Sequence, residues 1–179
     1  MKSKSVVTVI FRILIMTLLF AAQIFVANIL PNPFNKINIV MLTMMSVLIF
    51  AISDKFFPYL FGLSLLTELF HVTPFGFITA SLLIAMFALE WLLVNVLTNR
   101  FFMIVFIAGI IGVIAYRLVF IILMYLWRVI ADGSFDLNTG ALIGFGMEAV
   151  INATALTVIY STASIFVKKL NPRYVIKDY

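Results

Sequence analysis

The residues that could do chemistry in this sequence are few, and several of them interrupt long apolar runs. The stretch LLTELFHVTPFGF, residues 65–77, places Glu68 and the only histidine, His71, among leucines and phenylalanines. A carboxylate and an imidazole could exchange a proton, but no serine nucleophile accompanies them in this stretch. A lone histidine at a membrane surface is more often a bystander than a proton relay, so we expect no catalytic role for His71.

The composition indicates that the elements carrying these residues lie in a membrane. The 179 residues are 65% hydrophobic and 11% charged, whereas a soluble domain is about half apolar and a quarter charged. One histidine, seven acidic residues and no cysteine indicate neither a metal site nor thiol chemistry. The phosphate-binding patterns GxxxxGK[ST] and GxGxxG are absent from the sequence. We therefore predict a single integral membrane domain over residues 1–179, without a cofactor and without enzymatic activity.

The apolar residues fall into six segments that polar residues, prolines or glycines separate. A membrane-spanning helix needs roughly 20 apolar residues, so the second and third segments are short for a span. The sequence predicts an all-α membrane protein, a compact six-transmembrane-helix bundle with helices at 6–30, 37–52, 56–70, 78–97, 101–130 and 141–167, and a tail at 168–179.

The basic residues orient these segments. With the N-terminus in the cytoplasm, the same side receives Lys2, Lys4, Lys55, Arg100, Lys168, Lys169, Arg173 and Lys177. The other side receives Lys36, the acidic residues Asp132 and Asp136, and Arg128 as the one further basic candidate. Such a bias predicts a multi-pass protein of the cytoplasmic membrane with both termini in the cytoplasm. It also explains the high isoelectric point without a nucleic-acid partner.

Ionisable residues inside a span are costly, so each needs a partner or a task. Arg12 and Glu90 lie at similar depths near the cytoplasmic side, by the helical rise of about 1.5 Å per residue, and could form an ion pair. Alternatively, Arg12 could extend to the lipid headgroups.

Glu68, Arg117 and Glu148 all fall in the outer leaflet, so we expect a buried network in which one guanidinium pairs with two carboxylates. Structural stabilisation is the first interpretation of that network, and a ligand site is the second.

The sixth segment carries a face of small and polar residues at four-residue spacing. Gly140, Gly144, Glu148 and Asn152 lie on one side of a helix. Small residues allow close helix packing, and Asn152 can hydrogen-bond across helices. We expect this face to point into the bundle or toward a partner protein. Gly109 and Gly112 predict another close contact in the fifth helix.

The layout and three stretches resemble the rod shape-determining MreD family. These stretches are PNPFNKINIVMLTMMSVLIFA, GLSLLTELFHVTPFGF and LTNRFFMIVFIAGIIGVIAYRL. In the second stretch, Gly62-Leu63, Glu68-Leu69 and the turn with Pro74 and Gly76 follow the family pattern. The acidic residue of that pattern is usually Asp, whereas this chain has Glu68.

The resemblance implies a non-enzymatic scaffold of the bacterial cell-elongation machinery, which builds lateral peptidoglycan. It implies binding to an MreC-like protein and, through it, association with the MreB filament and with the RodA–transpeptidase pair. The implied fold is similar to that of the substrate-binding S components of energy-coupling-factor vitamin transporters.

That similarity supplies the main alternative, a membrane-embedded subunit that binds a vitamin or another small molecule. The level of Glu68, Arg117 and Glu148 would then line its pocket. The first helix lacks the Ala-x-x-x-Ala pair with which such subunits commonly dock to their transporter. A third class, an independent transporter or channel, lacks an evident inverted repeat.

Overall fold

In a computed structural model, the chain is described over residues 2–50, 57–96, 102–131 and 139–166. These residues form helices and turns and contain no strand, so the predicted all-α fold is confirmed. The helices are α1 (Lys2–Ile29), α2 (Ile39–Ile49), α3 (Phe57–Glu68), α4 (Phe77–Asn95), α5 (Phe102–Ala131) and α6 (Thr139–Phe166), with a 3₁₀ turn at Phe34–Lys36. The predicted tail at 168–179 lies outside the described residues.

The second helix is the centre of the bundle. Val40, Met41, Met44 and Met45 are at most 1% exposed, and α2 contacts each of the other five helices. Asn38 begins it, because its side chain accepts a hydrogen bond from the backbone N–H of Met41. A helix of these 11 residues is about 16 Å long, roughly half the thickness of the hydrocarbon core.

The prediction of six membrane-spanning helices is therefore only half confirmed. The described residues contain six α-helices, but four are long and apolar enough to cross a membrane, namely Thr8–Ile29, Phe77–Asn95, Met103–Ile130 and Ile143–Ser164. The helices α2 and α3 are shorter than the predicted segments 37–52 and 56–70. Their apolar residues are needed for packing inside the bundle as well as for contact with lipid. The chain thus has the architecture of a multi-pass membrane protein with two short internal helices.

Glycines bring α5 close to its neighbours, as the sequence predicted. A Cβ atom at Gly109 would lie 2.8 Å from the Cα atom of Ala153 in α6. A Cβ atom at Gly112 would overlap the side chain of Met45 in α2. The first contact is with backbone, which cannot move aside without separating the helices, whereas the second is with a flexible side chain. Gly109 therefore sets the spacing between α5 and α6.

The first helix lies at the edge of the bundle. It packs mainly against α2, α3 and the 3₁₀ turn, and the contact with α3 is close at Gly62, where a Cβ atom would lie 3.1 Å from the methyl group of Met16. Large apolar side chains such as Phe11, Leu14 and Leu18 are 60–66% exposed. This surface suits lipid, because it carries apolar groups around most of the helix.

Candidate functional site

The polar residues of interest gather at one end of the bundle, which carries the 3₁₀ turn and the α3–α4 turn over residues 69–76. We call it the turn end. Within the α3–α4 turn, the N–H of Phe77 donates to the carbonyl oxygen of Pro74 at 3.3 Å. Gly76 has a φ of 97°, in the left-handed region that the third position of a type II turn requires. The Pro-x-Gly pattern thus makes a tight reversal between α3 and α4.

Glu68 caps the helix that follows this reversal. Gly76 stands at the N-cap of α4 and has no side chain to accept the first N–H groups. Instead, Oε1 of Glu68 accepts a hydrogen bond from the N–H of Ile78 at 2.9 Å, and Oε2 accepts one from the hydroxyl of Thr79 at 2.6 Å. The carboxylate is 2% exposed and lies at the positive end of the helix dipole, which stabilises a negative charge. The acid at the end of α3 therefore fixes the start of α4.

The expected network of Glu68, Arg117 and Glu148 is thus wrong in one of its members. Both carboxylate oxygens of Glu68 are engaged by α4, and among the described residues Glu68 makes no ion pair with Arg117. The physical reason is that a helix N-terminus offers a buried carboxylate a backbone N–H donor and a favourable dipole without a second charge. The partner expected for Glu68 was therefore wrong, and the depth of the three residues in the membrane stays a prediction.

The other half of the network, Arg117 with Glu148, is confirmed. The Nε and Nη2 atoms of Arg117 lie 2.7 and 2.6 Å from Oε2 of Glu148. Glu148 is 4% exposed, and the guanidinium carbon lies 5.1 Å from the centre of the Phe145 ring. A cation over an aromatic face is stabilised by the ring quadrupole. The pair joins α5 to α6 close to the turn end.

The polar face of α6 points into the bundle rather than away from it. The carboxamide of Asn152 accepts from the N–H of Asn38 at 2.8 Å and donates to the carbonyl oxygens of Lys36 and Glu148 at 3.0 and 2.9 Å. About two turns before Asn152, Nζ of Lys36 lies 3.4 Å from the carbonyl oxygen of Gly144. Asn152 therefore ties the 3₁₀ turn to α6. Gly140 lies in the first turn of α6.

These groups surround a cavity of about 430 Å³ at the turn end. Its size is within the range of small-molecule sites. Charged, amide and aromatic side chains share its lining, which consists of Gln23, Ala27, Asn35, Lys36, Ile37, Asn38, His71, Ile78, Tyr116, Arg117, Phe120, Gly144, Phe145 and Glu148. Of the predicted network, Arg117 and Glu148 line this cavity, whereas Glu68 does not.

Arg12 is far from this cavity, at the opposite end of the bundle. Its Nη1 atom lies 3.4 Å from the hydroxyl oxygen of Tyr59, and its guanidinium carbon lies 5.1 Å from the centre of that ring. The helix that carries Arg12 packs mainly against α2 and α3, whereas Glu90 is on α4, which packs mainly against α3 and α5. The pairing of Arg12 with Glu90 stays a prediction.

His71 is exposed on the α3–α4 turn. Its Nδ1 atom lies 2.9 Å from the carbonyl oxygen of Thr67 in the last turn of α3, which also accepts a hydrogen bond from the N–H of Phe70 at 3.3 Å. A local role at the end of α3 accounts for this contact, although the ring also lines the cavity.

Several cavity residues were not singled out from the sequence, among them Lys36, Tyr116 and Gln23. Lys36 was interpreted only as a topological charge, and no role was predicted for Tyr116 or Gln23. Gln23 offered a signal, since a carboxamide inside an apolar helix needs a partner, and its Oε1 accepts from the N–H of Ile39 at 2.6 Å. Lys36 and Tyr116 offered none, because their neighbours come from other helices.

Comparison with known proteins adds no relative to this description. No family model matches the sequence, and neither a curated protein nor a solved structure matches it significantly. The capped α3–α4 turn and the polar cavity beside it are the structural features of this chain that bear on its function.

Proposed function

We propose that this chain is a non-enzymatic scaffold of the cell-elongation machinery in the cytoplasmic membrane of a rod-shaped bacterium. Its direct partner would be an MreC-like protein, with RodA, the transpeptidase and MreB reached through the larger complex. The resemblance of the sequence to the MreD family is the origin of this proposal. The residues that carry the resemblance, Glu68, Pro74 and Gly76, all contribute to one element, the α3–α4 turn.

The observation that supports partner binding is the apolar tip of this turn. Leu69, Phe70, Val72 and Phe75 are 65–107% exposed, although they stand between two helices whose junction is held by Glu68. An exposed cluster of large apolar side chains on a fixed turn favours contact with another helix or with the membrane surface. The face of α6, the other partner surface expected from the sequence, is engaged within the bundle at Glu148 and Asn152.

The predicted topology locates this contact on one side of the membrane. The positive-inside bias predicts both termini in the cytoplasm, and the turn end then lies at the outer face. The partner would therefore meet the α3–α4 turn at the outer surface of the membrane. Cysteine labelling at the termini and at Val72, with a reagent that does not cross membranes, would test this orientation.

Site-specific photocrosslinking tests the partner. A photoreactive amino acid at Val72 is expected to crosslink to the MreC-like protein of the same host, because this side chain is fully exposed. The matched control is Ile84, which is 49% exposed on α4 and away from the turn. Equal crosslinking at both positions, or none at Val72 in cells that make both proteins, would contradict the proposed contact.

Depletion of the chain is expected to convert rod-shaped cells to rounded cells. Cells that stay rod-shaped after depletion would contradict the scaffold function itself.

A second candidate function is ligand binding, as in a substrate-binding subunit of a small-molecule transporter. The cavity of about 430 Å³ with convergent polar groups favours it. Native mass spectrometry of the purified chain is expected to detect a bound small molecule in this case. A chain that is empty, and whose unfolding temperature does not change with a panel of vitamins, would count against vitamin capture.

A further inference from the structure

The cavity at the turn end has an excess of positive charge. Lys36 and Arg117 line it as formal cations, and Glu148 is the only acidic residue among its lining residues. Glu148 accepts both of its contacts from Arg117 through the single oxygen Oε2. Among the described residues, one formal positive charge therefore has no counter-ion in the cavity wall. A charge held in such a partly buried place is costly unless a ligand or water compensates it.

Lys36 is positioned for a ligand more than for the protein. Its backbone is fixed, because Asn152 binds the carbonyl oxygen of Lys36 and the N–H of Asn38. Its ammonium group makes one long contact, 3.4 Å to the carbonyl oxygen of Gly144. An ammonium group has three hydrogen-bond donors, so most of this capacity is left for a molecule in the cavity.

Arg117 also keeps donors for a ligand. Its Nε and Nη2 atoms contact Glu148, and no hydrogen bond of Nη1 is found within the described residues. The contacts to Glu148 and to the Phe145 ring hold the guanidinium group in a fixed orientation. A guanidinium group held in this way is suited to bind carboxylate or phosphate oxygens.

Tyr116 adds a further donor to the cavity wall. Its side chain is 5% exposed and lines the cavity. Its hydroxyl makes no hydrogen bond with any residue in the described part of the chain, so it is available to a molecule in the cavity. The hydroxyl belongs to the residue before Arg117, so both donors come from the same turn of α5.

We propose that the cavity binds an oxyanion, the phosphate or carboxylate group of a small molecule or of a lipid headgroup. Lys36, Arg117 and the Tyr116 hydroxyl supply the donors, and Glu148 holds Arg117 in place. The proposal rests on the second candidate function, ligand binding in this cavity, and names the chemical class of the ligand. It is independent of partner binding at the α3–α4 turn. A cation would add to the existing excess charge, and a neutral ligand would leave that charge without a counter-ion.

The test uses the full chain, purified and delipidated in a neutral detergent. Phenyl phosphate and benzoate probe a soluble oxyanion, short-chain phosphatidylglycerol probes a lipid phosphate, and benzyl alcohol is the uncharged control. Binding is followed by calorimetry at two salt concentrations, and native mass spectrometry identifies any molecule that copurifies. We expect at least one of the anionic probes to bind, with an affinity that falls at higher salt, and benzyl alcohol to bind more weakly. Tighter binding of phenyl phosphate or benzoate indicates a soluble small molecule as the ligand, whereas tighter binding of phosphatidylglycerol indicates a lipid headgroup.

Lys36→Met is the decisive variant, because the ammonium group contributes a single long contact to the fold. We expect the affinity for the better anionic probe to fall about tenfold, equivalent to about 1.4 kcal/mol, and Lys36→Arg to restore most of it. Gly146→Ala is the matched control, since a Cβ atom there meets nothing within 4 Å. A cooperative unfolding transition at a temperature not far below that of the wild type establishes that both variants are folded.

The outcomes separate this proposal from the function on which it rests. Equal binding of benzyl alcohol, unchanged affinity in Lys36→Met, or a copurified molecule that is neutral or cationic would overturn the oxyanion assignment while ligand binding stands. An empty protein that binds none of the probes would overturn both.

Discussion

Two buried glutamates, Glu68 and Glu148, are 2% and 4% exposed and have opposite surroundings. Glu68 accepts from a backbone N–H and a hydroxyl of α4, so both of its oxygens serve the fold. Glu148 uses one oxygen for Arg117 and lines a cavity. Burial alone therefore does not distinguish a structural acid from one at a binding site. The distinction comes from the donors that each acid has and from the free space beside it.

The Arg117–Glu148 pair gives the largest expected effect. Arg117→Leu leaves a buried carboxylate without its cation, which costs about 3–5 kcal/mol of unfolding free energy. Unfolding in detergent, followed by circular dichroism against temperature or denaturant, measures the loss. The double variant Arg117→Leu/Glu148→Leu should recover part of it, because no charge is then left unpaired. If the single variant unfolds like the wild type, the ion pair does not stabilise the fold.

The separation of the two glutamates can be tested in the same way. If Glu68 and Arg117 do not interact, the losses of unfolding free energy from Glu68→Gln and Arg117→Leu should add to within about 0.5 kcal/mol. A three-residue network, as expected from the sequence, would instead give a coupling of about 0.5–3 kcal/mol. A double-mutant cycle of unfolding free energies decides between the two.

The cap on α4 gives a smaller effect. Glu68→Leu leaves the N–H of Ile78 and the hydroxyl of Thr79 without their acceptor, at a cost of about 1–3 kcal/mol. Glu68→Asp, which installs the acid that is usual in the MreD family, should lose less, since the charge is kept but the carboxylate is one methylene further from α4. The measurement is again the unfolding free energy in detergent. If Glu68→Asp loses as much unfolding free energy as Glu68→Leu, the length of the side chain matters more for the cap than its charge.

The positive φ of Gly76 gives the next effect. Gly76→Ala meets no atom within 4 Å, so its cost is the left-handed backbone alone, about 1–2 kcal/mol. Gly146→Ala is the control, because it too meets no atom but lies within the helix α6, where alanine is favoured by up to about 1 kcal/mol. Opposite changes in unfolding temperature are expected. Stabilisation by both substitutions would show that the α3–α4 turn is not held in this conformation.

His71 should show the smallest effect on stability. His71→Ala removes one contact to a helix-end carbonyl on an exposed turn, and we expect a change within about 0.5 kcal/mol. Binding of the anionic probe should also be nearly unchanged, because Lys36 and Arg117 carry the charge. A large loss of binding in His71→Ala would extend the ligand site onto the α3–α4 turn and weaken the contrast between the two regions.

Much of the fold follows from local sequence. The fourth predicted helix, 78–97, corresponds to Phe77–Asn95, and the fifth, 101–130, to Phe102–Ala131. These limits are local, because apolar runs end where turn residues interrupt them. The Pro-x-Gly reversal after α3 and the polar face of α6 were likewise visible in the sequence. The second segment was also visible as short for a span. Its place at the centre of the bundle was not, because an apolar run looks the same whether it crosses a membrane or fills the centre of a bundle.

The sequence by itself determined that this is a helical, multi-pass membrane protein, and it located α4 and α5 to within about two residues. Only the tertiary structure decided which groups meet. Depth along a helix follows from the rise per residue, and it placed Glu68, Arg117 and Glu148 at one level. The direction in which each helix face points depends on packing among all the helices, and it separated Glu68 from the other two. The cavity around Lys36, Tyr116 and Arg117 is a consequence of that packing, because its walls come from segments that are distant in the chain.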